Sequence, residues 1–392
     1  MSKAETKFAI IGIGNCGNQV AYLAEKKYGT LFESIYINTS SSDLSQIQPS
    51  NENLVFKIGD EDEVEGSGKN RSKMKEYLRS DIKNILEDEN LQNAIVSKKY
   101  VFVIASVAGG TGSGAGPVLF SLIEQQYPEV HFILVSVLPY LESSLMEHGN
   151  SKEFLEELYN KLDSPTYMIY DNETVYDQPA TVSLTTVNNE IVEDLRVLTG
   201  VDNLSTPYES IDPADMESIL TTPGRVIVVR LKKNLTEKAM EDTAIDDMII
   251  RAIKRSCHAE TDRNKRCLKW GIITHFTEEV NKLYRPAMPK LADFLGNPKE
   301  RFNHNAINTT GHDDQNFLYL IASGLSPIND RTKKIDDRIL QLLSNEDEDK
   351  KDEFISNANG VSYNVMEERK KQDRKANQKA TLKISETFDK FM

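Results

Sequence analysis

A chain of 392 residues is long enough for two domains, and its 39% hydrophobic and 28% charged residues fit a soluble globular protein. No apolar run reaches the roughly 18 to 20 residues of a membrane-spanning helix, and the N-terminus enters a strand-like segment without a signal-peptide core. The charge of −14 disfavours a body that coats nucleic acid or an anionic membrane, and Cys16, Cys257 and Cys267, without metal-ligand spacing, suit a reducing cytosol.

The first half alternates short apolar runs with helical periodicity. Strands are expected at Lys7–Ile11, Ser34–Asn38, Tyr100–Ser106, Val130–Val137 and Thr166–Tyr170, with helices near Asn15–Tyr28, Lys73–Leu86, Pro117–Gln126 and Lys152–Lys161. This alternation implies a mostly parallel α/β sheet, whose ligands sit beyond the C-terminal ends of the strands. A helix from Thr185 to Leu198, stopped by Gly200, reads as a spine. After it come strand Val226–Leu231, helix Glu237–Ile253, strand Gly271–Phe276, helix Glu278–Phe294 and strand Phe317–Ala322, a smaller α/β unit. An amphipathic helix from Ile335 runs into the acidic stretch Glu346–Asp349, which reads as a solvated helix end or linker. Arg369–Lys383 then holds seven basic residues and one acidic one, a mobile tail or exposed helical extension.

Two glycine runs carry the chemistry. Gly12-Ile13-Gly14-Asn15-Cys16-Gly17 follows the first strand and opens a helix, so its amide groups and the helix terminus can meet a phosphate. The same spacing occurs in dinucleotide-binding oxidoreductases, but their acidic residue at the end of the second strand is missing, since that strand ends Asn38-Thr39-Ser40. The second run, Gly109-Gly110-Thr111-Gly112-Ser113-Gly114, lies between a buried strand and an apolar helix, which a flexible linker does not do. Two glycine loops on one sheet suit an extended polyphosphate. There is no P-loop lysine motif.

The second run resembles the signature loop of the tubulin/FtsZ superfamily, and Gly14-Asn15-Cys16-Gly17-Asn18-Gln19 resembles that family's first loop. The resemblance implies an α/β fold with a Rossmann-like parallel-sheet GTPase domain over residues 1–184 and a central helix over 185–203. A smaller activation domain over 204–328 and a helical C-terminal end with a basic tail over 329–392 would complete it. It further implies that Gly14, Asn15, Cys16, Asn18, Asn38, Gly68, Lys69, Asn70, Gly109, Gly110, Thr111, Gly112, Ser113 and Gly114 bind GTP or GDP. Pro139 and Glu142 would belong to a further GTP-binding loop, whose glutamate, Glu142, would approach the ribose. Asn172, or Asp171 in a shifted register, would read guanine, and Leu184 with Asn188 (or Asn189) would stack on and bond to the base. An amide complements guanine because guanine offers N1–H and N2–H₂ donors beside its O6 acceptor. Mg²⁺ follows from the charge of a triphosphate.

Ser210-Ile211-Asp212-Pro213-Ala214-Asp215 resembles the family's catalytic loop, with Ser210 where the family has asparagine. Asp212 and Asp215 are three apart, so at a helix start both can face one side and orient a water against a neighbouring subunit's γ-phosphate. The tetrapeptide Asp212–Asp215 also suits a plain helix start, with Asp212 as N-cap and Pro213 next, and the two readings are compatible. Cys16 reads as a small packed residue near the base, and His258 and His275 as fold residues.

The long basic end resembles the plasmid- and phage-borne TubZ group. That implies head-to-tail filaments in a bacterial cytoplasm, no membrane partner, and a tail at Arg369–Lys383 that engages a DNA-bound adaptor or simply stays solvated. An FtsZ-like division filament, an inactive scaffold and a nicotinamide-dependent oxidoreductase stand as alternatives.

Overall fold

The expected alternation produces a single ten-stranded sheet with helices on both faces. The computed structural model describes residues 8–59, 65–200, 213–260, 266–356 and 386–392 (180, 181, 183, 213 and 345–356 by backbone alone). In chain order the elements are β1 (Phe8–Ile13), α1 (Gly14–Tyr28), β2 (Phe32–Asn38), α2 (Ser41–Ser45), β3 (Val55–Lys57), α3 (Arg71–Glu87), α4 (Glu89–Val96) and β4 (Tyr100–Ser106). Next come α5 (Gly110–Gln126), β5 (His131–Leu138), α6 (Leu145–Asn160), β6 (Thr166–Asp171), α7 (Ala180–Leu198) and α8 (Pro213–Leu220). The chain continues through β7 (Gly224–Leu231), α9 (Glu237–Asp242), α10 (Ile245–Arg255), β8 (Lys269–Phe276), α11 (Glu278–Leu283) and α12 (Pro289–Leu295). It closes with β9 (Glu300–Ile307), β10 (Phe317–Leu325) and α13 (Asn329–Ser356).

The strands lie in the order β3-β2-β1-β4-β5-β6-β7-β10-β8-β9. The direction of progression reverses at β1, which pairs in parallel with β2 on one side and β4 on the other. Such a reversal opens a crevice at the C-terminal strand ends. Ile13 lies opposite Ala105, so β1 and β4 finish nearly level and their glycine loops leave side by side. Every residue of β1 is buried, as its unbroken apolar run requires for a strand covered on both faces. One face packs against Leu78, Phe120 and Phe154, the other against Val20, Ile191 and Leu195.

The second α/β unit extends the same sheet. β7 joins β6 through Thr166 opposite Gly224 and Tyr167 opposite Arg225, in parallel. β10 then runs antiparallel to both β7 and β8, and β8 pairs in parallel with β9. The polar run of β9 hides an edge strand from apolar pattern reading. The two long helices expected here are each divided. Thr243 turns extended between α9 and α10, while Pro286 and Pro289 separate α11 from α12. α7 is held between the two halves by Asp194, which accepts from Tyr170 Oη at 2.9 Å and from Arg230 Nε at 2.7 Å. His258 is buried against Tyr170 in the same cluster, as a fold residue.

α13 begins six residues earlier than the periodicity indicates, at Asn329. The chain's last residues return to the body. Phe388 and Phe391 are buried in the core beside α3, α5 and α6, and Lys75 Nζ donates to the Phe391 carbonyl at 2.5 Å. Arg369–Lys383 lies outside the described residues.

Candidate active site

A cleft of about 490 Å³ opens at the C-terminal edge of the parallel strands. Its walls include Gly14, Asn15, Cys16, Asn38, Thr39, Ser40, Gly68, Lys69, Gly109, Gly110, Thr111, Gly112, Pro139, Asn172 and Leu184. Segments up to 170 residues apart in the chain thus share one wall, and they are the loops expected from the sequence.

The glycine-loop side is shaped for an anion. α1 and α5 both start at this cleft with no side-chain cap and no acidic residue in the first turn. Their leading N–H groups therefore lack the usual side-chain acceptor, and two positive helix ends converge on one volume. The second glycine run is thus not a loop before a helix beginning at Pro117: all but Gly109 of it is the first turns of α5. Where these loops meet, two of their glycines leave no room for a side chain. Gly14 holds φ +71°, and a Cβ on it would sit 3.0 Å from the Gly112 nitrogen. A Cβ on Gly110 would overlap Ser67 Oγ and lie 2.8 Å from Lys69 Cα. Thr39 and Thr111 share a hydroxyl hydrogen bond of 2.7 Å across the floor.

The loop carrying Gly68 and Lys69 is pinned from behind. Asn150 Nδ2 donates to the Lys69 carbonyl at 2.8 Å and to the Ala108 carbonyl at 2.9 Å, tying this loop to the second glycine run. Asn150 is set in turn by Arg71, whose Nη1 donates to the Asn150 carbonyl at 2.9 Å and whose Nη2 pairs with the buried Glu157. Lys69 Nζ meets Glu147 at 2.9 Å. Burial raises Glu147, but hydrogen bonds from Ser144 and Lys69 outweigh it and hold the carboxyl below its ordinary range.

The opposite end suits a planar ring with donors. Asn172 Oδ1 is buried without a hydrogen-bond partner and belongs to the cleft wall. A buried acceptor left unmatched costs free energy until a donor arrives. Leu184 is 48% exposed there, an apolar surface at the rim. Asp171, the shifted-register alternative, is occupied elsewhere: Arg331 binds both of its oxygens, at 2.6 and 3.1 Å. Two uncapped helix ends at one end of the cleft and an unmatched acceptor at the other fit a purine nucleoside polyphosphate.

Residues 7–179 match the Tubulin/FtsZ family, GTPase domain. The chain carries a Tubulin/FtsZ-family GTPase domain. The tubulin-like protein TubZ of Clostridium botulinum C phage is 22% identical over 377 residues, covering 92% of each chain. The crystal structure of Clostridium botulinum phage c-st TubZ superposes with a TM-score of 0.68 at 19% identity, over 87% of this chain and all of that one. A CetZ2 from Haloferax volcanii, solved as a GTPγS-bound protofilament, superposes with a TM-score of 0.69 at 15% identity, over 88% of this chain and all of its own. The match is to GTPases, and the nicotinamide-dependent alternative ends with it.

Several expected residues do not line this cleft. Asn18 is buried and exchanges hydrogen bonds with the Ile37 backbone of β2. Asn70 caps α3 by accepting from Lys73 N at 2.9 Å. Ser113 donates to the Gly109 carbonyl, and Gly114 packs on Met74. Glu142 reaches Arg338 at 3.4 Å. Neither Asn188 nor Asn189 belongs to the wall, and Asn189 accepts from Lys27 at 2.5 Å. The half-buried Cys16 thiol is pushed up to about 11 by burial and is therefore neutral.

Three contributors escaped sequence reading: Asn150, Arg331 and Glu65. Glu65 accepts from Ser40 Oγ at 2.8 Å and from Ser42 N at 3.0 Å. Those bonds, the Ser42 amide first, hold its carboxyl down to about 2. A carboxylate from elsewhere in the chain therefore stands beside Ser40, just past the end of β2. Only the Glu65-Gly66 step before the third loop could have signalled it. Asp212 lies outside the described residues, and Asp215 sits in the first turn of α8, half-buried. Asp215 lines a separate cleft with Ser218, Lys269, Trp270 and Arg301.

Proposed function

We propose that this protein hydrolyses GTP while polymerising head to tail, each nucleotide cleft being completed by Asp212 and Asp215 of the next subunit. One observation carries the reading: the cleft that Asp215 lines shares no residue with the cleft of the glycine loops. A carboxylate that its own subunit places in another cleft would serve the glycine loops from a second copy. The CetZ2 relative was solved as a protofilament, in keeping with such an assembly.

The division of labour follows from the residues. The α1 and α5 termini hold the phosphates through backbone N–H groups, Thr39, Thr111 and Lys69 border them, and Asn172 reads guanine with Leu184 against its face. Asp212 and Asp215 orient and polarise the attacking water. Mg²⁺ rides on the phosphates, called for by the charge of a triphosphate. Residues 1–184 then act as the GTP-binding domain, 185–203 as the central helix, 204–328 as the activation domain, and 329–392 as the C-terminal helix and tail. Similarity to TubZ across 92% of the chain favours positioning of plasmid or phage DNA in a bacterial cytoplasm over cell division, with Arg369–Lys383 as the contact for a DNA-bound adaptor. No helix among the described residues is long and apolar enough to cross a membrane.

Right-angle light scattering tests the reading directly. With Mg²⁺ and GTP the signal should rise and then decay as GTP is consumed, while ATP leaves it flat. Asp212→Ala and Asp215→Ala should each slow phosphate release by ~10²-fold or more and prolong the scattering plateau. Release at the wild-type rate from both variants would remove the catalytic assignment.

A further inference from the structure

We infer that Arg331, in the first turn of the C-terminal helix, is a positioning residue that sets the base-reading end of the cleft. The inference rests on the nucleotide reading above and adds a residue to it from outside the GTPase domain. Arg331 is 4% exposed. Its guanidinium forks onto Asp171, with Nε to Oδ2 at 2.6 Å and Nη2 to Oδ1 at 3.1 Å, and Nη2 also donates to the Pro139 carbonyl at 2.6 Å. One side chain therefore grips the residue before Asn172 and the loop opposite it.

The grip is continued by bonds that leave little freedom. Asp171 Oδ1 also accepts from Glu173 N at 3.1 Å, fixing the turn that carries Asn172. Glu173 Oε2 accepts from Leu141 N at 2.8 Å, closing the ring back to the Pro139 loop. The helix turn that presents Arg331 is itself capped by Glu260, which accepts from Asp330 N at 2.9 Å and Arg331 N at 3.2 Å. A bidentate arginine–carboxylate pair fixes orientation as well as distance, which a lysine cannot do. Asn172 Oδ1, buried and unmatched, can discriminate guanine only if its turn is held at a fixed depth from the opposite loop. Arg331 supplies that separation without touching the base.

The distinguishing readout is the ratio of GTP to ITP affinity, because hypoxanthine lacks the 2-amino donor of guanine. Equilibrium binding of labelled GTP and ITP would be measured for wild type, Arg331→Met, Arg331→Lys and Asp171→Asn. Lys98→Met serves as control, since it removes another buried cation, paired with Glu33 at 2.8 Å at the opposite strand edge. Arg331→Met should weaken GTP binding by up to ~10²-fold, the scale of a displaced positioning group, and bring the GTP:ITP ratio towards one. Asp171→Asn should lower that ratio less, and Arg331→Lys should restore part of the affinity but little of the ratio. Lys98→Met should leave the ratio at the wild-type value. Should Arg331→Met fail to fold, Asp171→Asn and Arg331→Lys decide the matter by the same ratio. Wild type that binds GTP, with the Arg331 and Asp171 variants keeping its ratio, would overturn this inference alone. Wild type that binds no GTP would instead overturn the nucleotide reading itself.

Discussion

The two ends of the cleft are built by opposite means. At the phosphate end the chain removes side chains and brings backbone against backbone: Gly14 meets Gly112, and Gly110 meets Lys69. At the base end long side chains do the holding, through Arg331, Asp171 and Glu173. The difference suits the nucleotide proposed for this cleft. A phosphate is bound by many amide N–H groups that must all converge, which only glycine-rich backbone allows. A base is told from another base by a few atoms at set positions, which needs rigid side-chain contacts. The phosphate end should therefore fail through steric intrusion, and the base end through loss of alignment.

Gly110→Ala should give a large effect at the phosphate end, because the new Cβ meets the Lys69 backbone and not just a flexible tip. We expect GTP and GDP binding to weaken by ~10²-fold, with the GTP:ITP ratio unchanged and the far-UV circular dichroism of wild type. A changed ratio would mean that the two ends are not independent. Asn150→Ala is gentler. It leaves the Lys69 and Ala108 carbonyls without their shared donor, at a cost of about 1–3 kcal/mol. Both nucleotides should again be affected alike, in titration calorimetry and in the urea midpoint.

The smallest effect belongs to Glu65, which is exposed at the edge of the phosphate end. Its pKa in the folded protein is lowered from 4.5 to about 2 by the Ser42 and Ser40 hydrogen bonds. A depressed carboxyl favours folding when ionised, so its contribution is full above the ordinary range and vanishes as pH falls towards 2. Glu65→Gln should thus have a slightly lower urea midpoint than wild type at pH 7, and the two should converge on acidification. A gap that stays constant with pH would show that shape and not charge makes the contact.

Much of this cleft's lining was legible because local pattern and position on the wall coincide. Glycines between an apolar strand and an apolar helix announce a phosphate loop, and Tyr100–Ser106 was bounded correctly from its unbroken run of apolar residues. The register of Asn172 against Asp171 was not legible, because the two are adjacent in sequence. What separates them is a charge 160 residues away that occupies Asp171. Asn150 was equally silent, one polar residue among many in α6, whose meaning depends on which carbonyls come near it.

The sequence by itself determined the alternating α/β order, the two glycine loops, the acidic α8 start and the family likeness, since each is written in residues close together in the chain. Tertiary structure alone decided that the second unit continues the first sheet, that Asp215 lines a different cleft from the glycine loops, and that Arg331 of the C-terminal helix binds Asp171 and the Pro139 carbonyl. Those outcomes depend on pairings between distant segments. A buried charge such as Arg331 finds its partner through the low-dielectric geometry of the folded core, and no local pattern in the chain encodes that meeting.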